Sequence, residues 1–97
     1  MTAVLDNETT IKQNTGQETK KAPLYKVILH NDDVNSFEHV ILCVMQVFHV
    51  QVEEAFKLTK EANDTGLVIC RVEQFEPAEL HRDQLRALRL TADMEPE

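Results

Sequence analysis

The 97-residue sequence is expected to form an α+β fold, a small α/β sandwich. A three-stranded antiparallel sheet would be covered by helices on one side, in the order β-α-α-β-α-β, behind a flexible N-terminal extension. Three observations predict this. The chain changes character near Pro23: residues 1–22 are dominated by Thr, Asn, Gln, Lys and Glu, and residues 23–97 are rich in apolar residues. Short β-rich apolar runs end or begin at Asn, Asp and Gly. Between them lie longer segments with helical periodicity.

The elements follow in chain order. Leu24-Tyr25-Lys26-Val27-Ile28-Leu29 reads as a strand that stops at the turn signal Asn31-Asp32-Asp33. Asn35 followed by Glu38 has the form of a capping box, with Asn35 as cap. The helix it opens, Ser36 to Phe48, places Val40, Val44, Val47 and Phe48 on one stripe, flanked by Ile41 and Met45. A second helix is expected from Val52, with Glu53 and Glu54 in its first turn, where the helix dipole favours acids. It presents Val52, Ala55, Phe56, Thr59 and Ala62 and ends near Asn63. After Asp64-Thr65-Gly66, the run Leu67 to Val72 is nearly continuous in apolar residues, the pattern of a central strand buried on both faces. Pro77 suits the first turn of a third helix reaching Ala87. A weaker strand is expected around Leu88 to Met94, where apolar residues alternate.

Composition then removes function classes. Aromatic residues make up 5% of the chain and Trp is absent, so the core must be aliphatic. The extension carries three basic (Lys12, Lys20, Lys21) and three acidic residues (Asp6, Glu8, Glu18), so the whole net charge of −7 falls on residues 23–97. Nucleic acid is therefore an unsuitable partner, because phosphate neutralisation needs clustered Lys and Arg. Cys43 and Cys70 lack CxxC spacing, and His30, His39, His49 and His81 form no metal-binding pair. No metal and no cofactor is expected. With only Gly16 and Gly66 there is no glycine-rich phosphate cradle. No basic, apolar leader and no run of roughly eighteen apolar residues is visible, so a cytoplasmic protein without a membrane partner is expected.

Two groupings bear on chemistry. His39 and Cys43 stand at helical i, i+4 spacing, but Cys43 lies just off the apolar stripe and reads as a packed thiol. His49 and His81 read as surface residues. Asn31-Asp32-Asp33 reads first as a strand-to-helix turn whose side chains satisfy backbone donors. It also sets acceptors beside the end of a buried strand, which suits a cation such as an amine.

Leu24 to Asp33, Phe37-Glu38-His39-Val40, Val47-Phe48 and Gly66-Leu67-Val68-Ile69-Cys70 closely resemble the ClpS family. Its members are non-enzymatic adaptors that deliver N-degron substrates to the Hsp100 unfoldase of the Clp protease. The resemblance covers about residues 23–97, is strongest from 24 to 76, and is nearest to cyanobacterial members, which implies a ClpC/ClpA-type unfoldase as partner, ClpC in the cyanobacterial case. It implies no catalytic residue and a monomer. It further implies that Asn31, Asp32 and Asn63 take the substrate's α-amino group, and that Asn35, Phe37, Val40, Thr59, Ala62 and Leu90 wall the pocket for the first side chain. Glu76 and His81 would dock on the unfoldase N-domain. Departures from the family pattern are Asn35 for threonine, Phe37 for a gating methionine, Thr59 for methionine, Ala62 for valine, Asn63 for histidine and His81 for lysine. Asn63 and Thr59 favour a second reading, a regulator that docks on the unfoldase with altered or lost degron recognition. His30 has no imidazole counterpart in the family, and strand alternation points it away from Asn31. An extension of this length would span at most ~75 Å, at ~3.3 Å per residue, enough to reach toward a pore.

Overall fold

The computed structural model describes residues 22–97. The flexible extension expected for residues 1–22 therefore falls outside the described residues, apart from exposed Ala22. Six elements follow in order: β1 (Leu24–His30), α1 (Phe37–Phe48), α2 (Val52–Thr65), β2 (Leu67–Gln74), α3 (Phe75–Ala87) and β3 (Thr91–Pro96). The strands form one sheet in the order β2-β1-β3, both pairings antiparallel.

The central strand is β1, not β2. Val27, Ile28 and Leu29 are all buried, as three consecutive apolar residues require when neighbours lie on both sides. β2 is an edge strand, and Leu67, Ile69 and Val72 remain 45%, 43% and 40% exposed on the open face. Its apolar run had suggested burial on both faces, but the helices cover only the face that carries Val68. A register shift opposite Val27 and Ile28 pairs Val27 with Arg71 and Ile28 with Ile69. It leaves Cys70 as the extra residue and turns Arg71 inward. There the Arg71 guanidinium lies 5.0 Å from the Phe48 ring centroid and donates to the Phe48 carbonyl at 3.3 Å.

Helix boundaries differ from expectation at their caps. Ser36, not Asn35, caps α1: its hydroxyl accepts from the His39 backbone N–H at 3.1 Å. Asn35 is engaged elsewhere, as described below. α1 buries Cys43, Val44, Val47 and Phe48, so the thiol sits on the stripe while Val40 is only half-buried. α2 buries Ala55, Thr59 and Ala62, while Val52 and Phe56 stay exposed. Small residues on its inner face let α2 lie close against α1 and β2. It runs two residues past Asn63 and stops at Gly66, whose φ of 101° favours glycine and whose N–H bonds to the Ala62 carbonyl.

α3 begins at Phe75, so Pro77 is its third residue, where an N–H would have no intrahelical partner. Leu88 caps its C-terminus, Arg89 is left-handed (φ 72°), and Leu90 N–H bonds back to the Leu85 carbonyl. That cap consumes the residues expected to open the last strand, so β3 starts only at Thr91. Arg86 fastens β3 to α3 through the Ala92 carbonyl (2.7 Å) and the Asp93 carboxylate (2.8 Å).

Candidate functional site

The turn after β1 is organised by one carboxylate. Asp32 Oδ1 accepts from the backbone N–H of Val34 (3.0 Å) and Asn35 (2.9 Å). Asn35 Nδ2 reaches both carboxylate oxygens, and Thr91 Oγ1 donates to Oδ2 at 3.2 Å. The Asn35 N–H above all holds the Asp32 carboxyl below its ordinary value of 3.8, partly opposed by desolvation. Asn35 Nδ2 also donates to the Arg89 carbonyl at 2.9 Å, tying the turn to the α3–β3 connection. On the other side, Asn31 N–H bonds to the Gly66 carbonyl at 2.9 Å and fixes the turn to the α2–β2 junction. Three junctions thus converge at one end of the sheet.

A cavity of about 60 Å³ opens there. The end of β1 and its turn contribute Leu29, His30, Asn31, Asp32 and Asn35; α1 contributes Phe37 and Val40. α2 contributes Thr59, Ala62 and Asn63, and Leu90 enters from the turn before β3, not from the strand. All nine residues expected around the amine and the first side chain therefore line a single cavity. Leu29 was missed, although its inward phase follows from strand alternation with Val27. His30 also borders the cavity, and its Nε2 pairs with Asp93 Oδ2 across the sheet at 2.9 Å.

The walls are specific in character. Thr59 is 3% exposed, and its Oγ1 has no hydrogen-bond partner among the described residues. Phe37 is half-buried and meets Phe56 edge-to-face, with ring centroids 5.5 Å apart at 75°. Asn63 is exposed at the mouth, one residue beyond buried Ala62.

The two residues expected at the unfoldase lie on α3, away from the cavity. Glu76 is exposed. His81 is not a surface residue: its side chain is 16% exposed, its Nδ1 pairs with the Glu73 carboxylate, and its ring lies 4.9 Å from that of Phe48. The inward turn of Glu73 on β2 creates that pairing, which helix periodicity alone could not reveal.

The Cys43–His39 pair forms no nucleophile. Sγ lies 3.4 Å from His39 Nε2, which is also 3.4 Å from the Leu88 carbonyl, and burial pushes the thiol's pKa up. Burial likewise pushes Cys70 up to about 12. Neither sulfur is a thiolate at neutral pH. Among the described residues no three His, Cys, Asp or Glu side chains gather as a metal site, and no helix is long and apolar enough to cross a membrane.

Comparison with known proteins places the chain in a family. The family model described as "ATP-dependent Clp protease adaptor protein ClpS" matches residues 20–94. The ATP-dependent Clp protease adapter protein ClpS of Synechococcus elongatus is 42% identical over 94 residues, covering 93% of this chain and 96% of that one. The chloroplastic adapter CLPS1 of Arabidopsis thaliana is 36% identical, covering 97% of this chain and 65% of that one. Among solved structures, Agrobacterium tumefaciens ClpS2 bound to L-phenylalaninamide superposes with a TM-score of 0.75 at 25% identity, over 79% of this chain and all of the other. With the family model spanning nearly all of the described residues and relatives aligned along almost the whole sequence, the chain belongs to the ClpS family of Clp protease adaptors.

Proposed function

We propose that the cavity receives the first residue of an N-degron substrate, which this adaptor then hands to a ClpC- or ClpA-type unfoldase through the unfoldase N-domain. The carrying observation is the convergence of Asn31, Asp32, Asn35 and Asn63 with apolar Leu29, Val40, Ala62 and Leu90 at one small cavity. Amide oxygens beside a carboxylate's negative charge suit an α-ammonium, and the apolar walls suit the side chain attached to it. The ligand named for the Agrobacterium structure, L-phenylalaninamide, is an amino-acid amide with a free α-amino group, which supports an amine ligand for this fold. On this reading the protein is a cytoplasmic monomer, needs no cofactor and catalyses nothing itself.

The test is reconstitution with a ClpC-type unfoldase and its peptidase. A reporter beginning with Leu is expected to be degraded several-fold faster when this protein is added, and the same reporter beginning with Met or Gly is not. No acceleration for any first residue would sink the adaptor reading. It would favour a docking regulator, for which the unpartnered hydroxyl of Thr59 in the pocket wall already speaks.

Docking is assigned to the exposed end of α3. Exposed Glu76 is its anchor, while His81, held by Glu73 and Phe48, contributes by shaping the surface rather than by its charge. Glu76→Lys is expected to weaken binding to the isolated unfoldase N-domain roughly tenfold or more, since it turns attraction into like-charge contact. Peptide affinity is expected to stay within about twofold, because the two surfaces are separate. Simultaneous loss of both bindings would mean a damaged fold, and retention of both would remove Glu76 from the interface.

A further inference from the structure

The side-chain amide of Asn35 has only one possible orientation. The atom placed as Nδ2 lies 3.0 and 3.2 Å from the two oxygens of Asp32 and 2.9 Å from the Arg89 carbonyl oxygen. Carboxylate and carbonyl only accept, so that end of the amide must be the nitrogen. Its two hydrogens are thereby used, one toward Asp32 and one toward Arg89. The remaining atom, Oδ1, accepts no hydrogen bond from the described residues, and Asn35 borders the cavity. Asp32 is in the opposite condition. Val34 N–H, Asn35 N–H, Asn35 Nδ2 and Thr91 Oγ1 all donate to it. A carboxylate offers about four lone-pair positions, so little of Asp32 is left for an incoming donor.

We propose that Asn35 Oδ1 is a direct acceptor for the substrate's α-ammonium, completing a set with Asn31 and Asn63, and that Asp32 is a positioning residue that holds this amide in place. The proposal rests on reading the cavity as an amine site and names an acceptor within it. Three ammonium hydrogens then meet three neutral amide oxygens. The charge of Asp32 acts from behind the Asn35 amide: accepting from Nδ2, it polarises the group and makes Oδ1 a stronger acceptor. Locking the amide through Arg89 as well removes the rotational freedom that a free side chain would lose on binding.

The test counts donors. A fluorescent Leu-initiated peptide is compared with its Nα-methyl form, which keeps the positive charge but has one N–H fewer, and with its Nα-acetyl form. Wild type is expected to bind the methylated peptide about tenfold more weakly than the free amine, the loss of one charged hydrogen bond. In Asn35→Ala, with one acceptor gone, that penalty is expected to shrink to about threefold or less. A purely structural Asn35 would lower all affinities and leave the methylation penalty unchanged, and an unchanged penalty overturns the proposal. Circular dichroism and thermal melting report whether Asn35→Ala keeps its fold. If it does not, Asn35→Ser, whose hydroxyl can still donate to Asp32 but is too short to replace Oδ1, is scored in the same way. Equal binding of free and acetylated peptides by wild type is a different failure, because it removes the amine site itself and not only the part given to Asn35.

Discussion

Acetylating the α-amino group of a Leu-initiated peptide is expected to weaken its binding by a hundredfold or more. A free α-ammonium has a pKa near ~8 and is mostly charged at neutral pH, so it brings three donors and one positive charge. Acetylation leaves one neutral amide N–H and adds a carbonyl whose own acceptor faces a site already rich in acceptors. Each charged hydrogen bond is worth roughly 1.5–3 kcal/mol, and losing two corresponds to at least a hundredfold. The site adds a second penalty. The oxygens of Asn31, Asn35 and Asn63 would be covered by the peptide without a donor to satisfy them, and unpaired acceptors discriminate more strongly than shape. Internal peptide segments fail for the same reason, which is how one cavity can tell a chain terminus from the rest of a protein. Asn31→Ala is expected to reproduce most of the loss with the free peptide. Anisotropy measures both, and comparable affinity for acetylated and free peptides would overturn the assignment of this cavity to an amine.

The order of the elements was legible in the sequence, while the meeting of the cavity residues was legible only through the family resemblance. The residues around the cavity sit at three chain junctions, of which two announce themselves, by Asn31-Asp32-Asp33 after an apolar strand and by Gly66 after a helical run; the α3–β3 junction that supplies Leu90 does not, and only the family resemblance groups these residues at one place. A strand's place in a sheet leaves a weaker mark. β2 is as apolar as a buried strand, but its position at the edge is decided by which neighbours pair with β1, and no local pattern encodes that. The cap of α1 was misplaced by one residue because Asn and Ser are equally good caps. Only the long-range bond from Asn35 to Arg89, 54 residues away, shows why Asn35 is withdrawn from that duty and Ser36 takes it. His81 failed for a related reason. A helix pattern places it near the surface, but Glu73 arrives from β2 with its carboxylate turned inward by the bulge and draws the imidazole down onto Phe48.

Peptides beginning with Leu are expected to bind about tenfold or more tightly than peptides beginning with Phe, Tyr or Trp. The cavity measures about 60 Å³, whereas an engineered protein cavity that admits benzene measures roughly 150 Å³. A branched aliphatic side chain needs small adjustments of the walls, but an aromatic ring needs a wall to move aside. Phe37 is the wall at the rim, and its edge-to-face contact with half-exposed Phe56 at 5.5 Å, a pairing worth about 0.5–1.5 kcal/mol, biases it against turning aside. Thr59 supplies a second, smaller obstacle: its hydroxyl is buried without a partner, and a ring face offers it only a weak O–H···π contact in place of a full hydrogen bond. Leu meets the same hydroxyl but covers less of it, and burying its side chain is worth roughly 1.5–3 kcal/mol. Replacing the rigid ring with a flexible chain removes the main obstacle, so Phe37→Met is expected to raise affinity for Phe-initiated peptides by about tenfold while changing Leu affinity little. Phe56→Leu releases the same ring and is expected to act in the same direction but less strongly. The two changes together would exceed Phe37→Met alone by little, since Phe56 acts only through Phe37. A wild-type protein that prefers Phe to Leu, or a Phe56→Leu effect that adds in full to that of Phe37→Met, would show that the Phe37 ring does not set the size of the pocket.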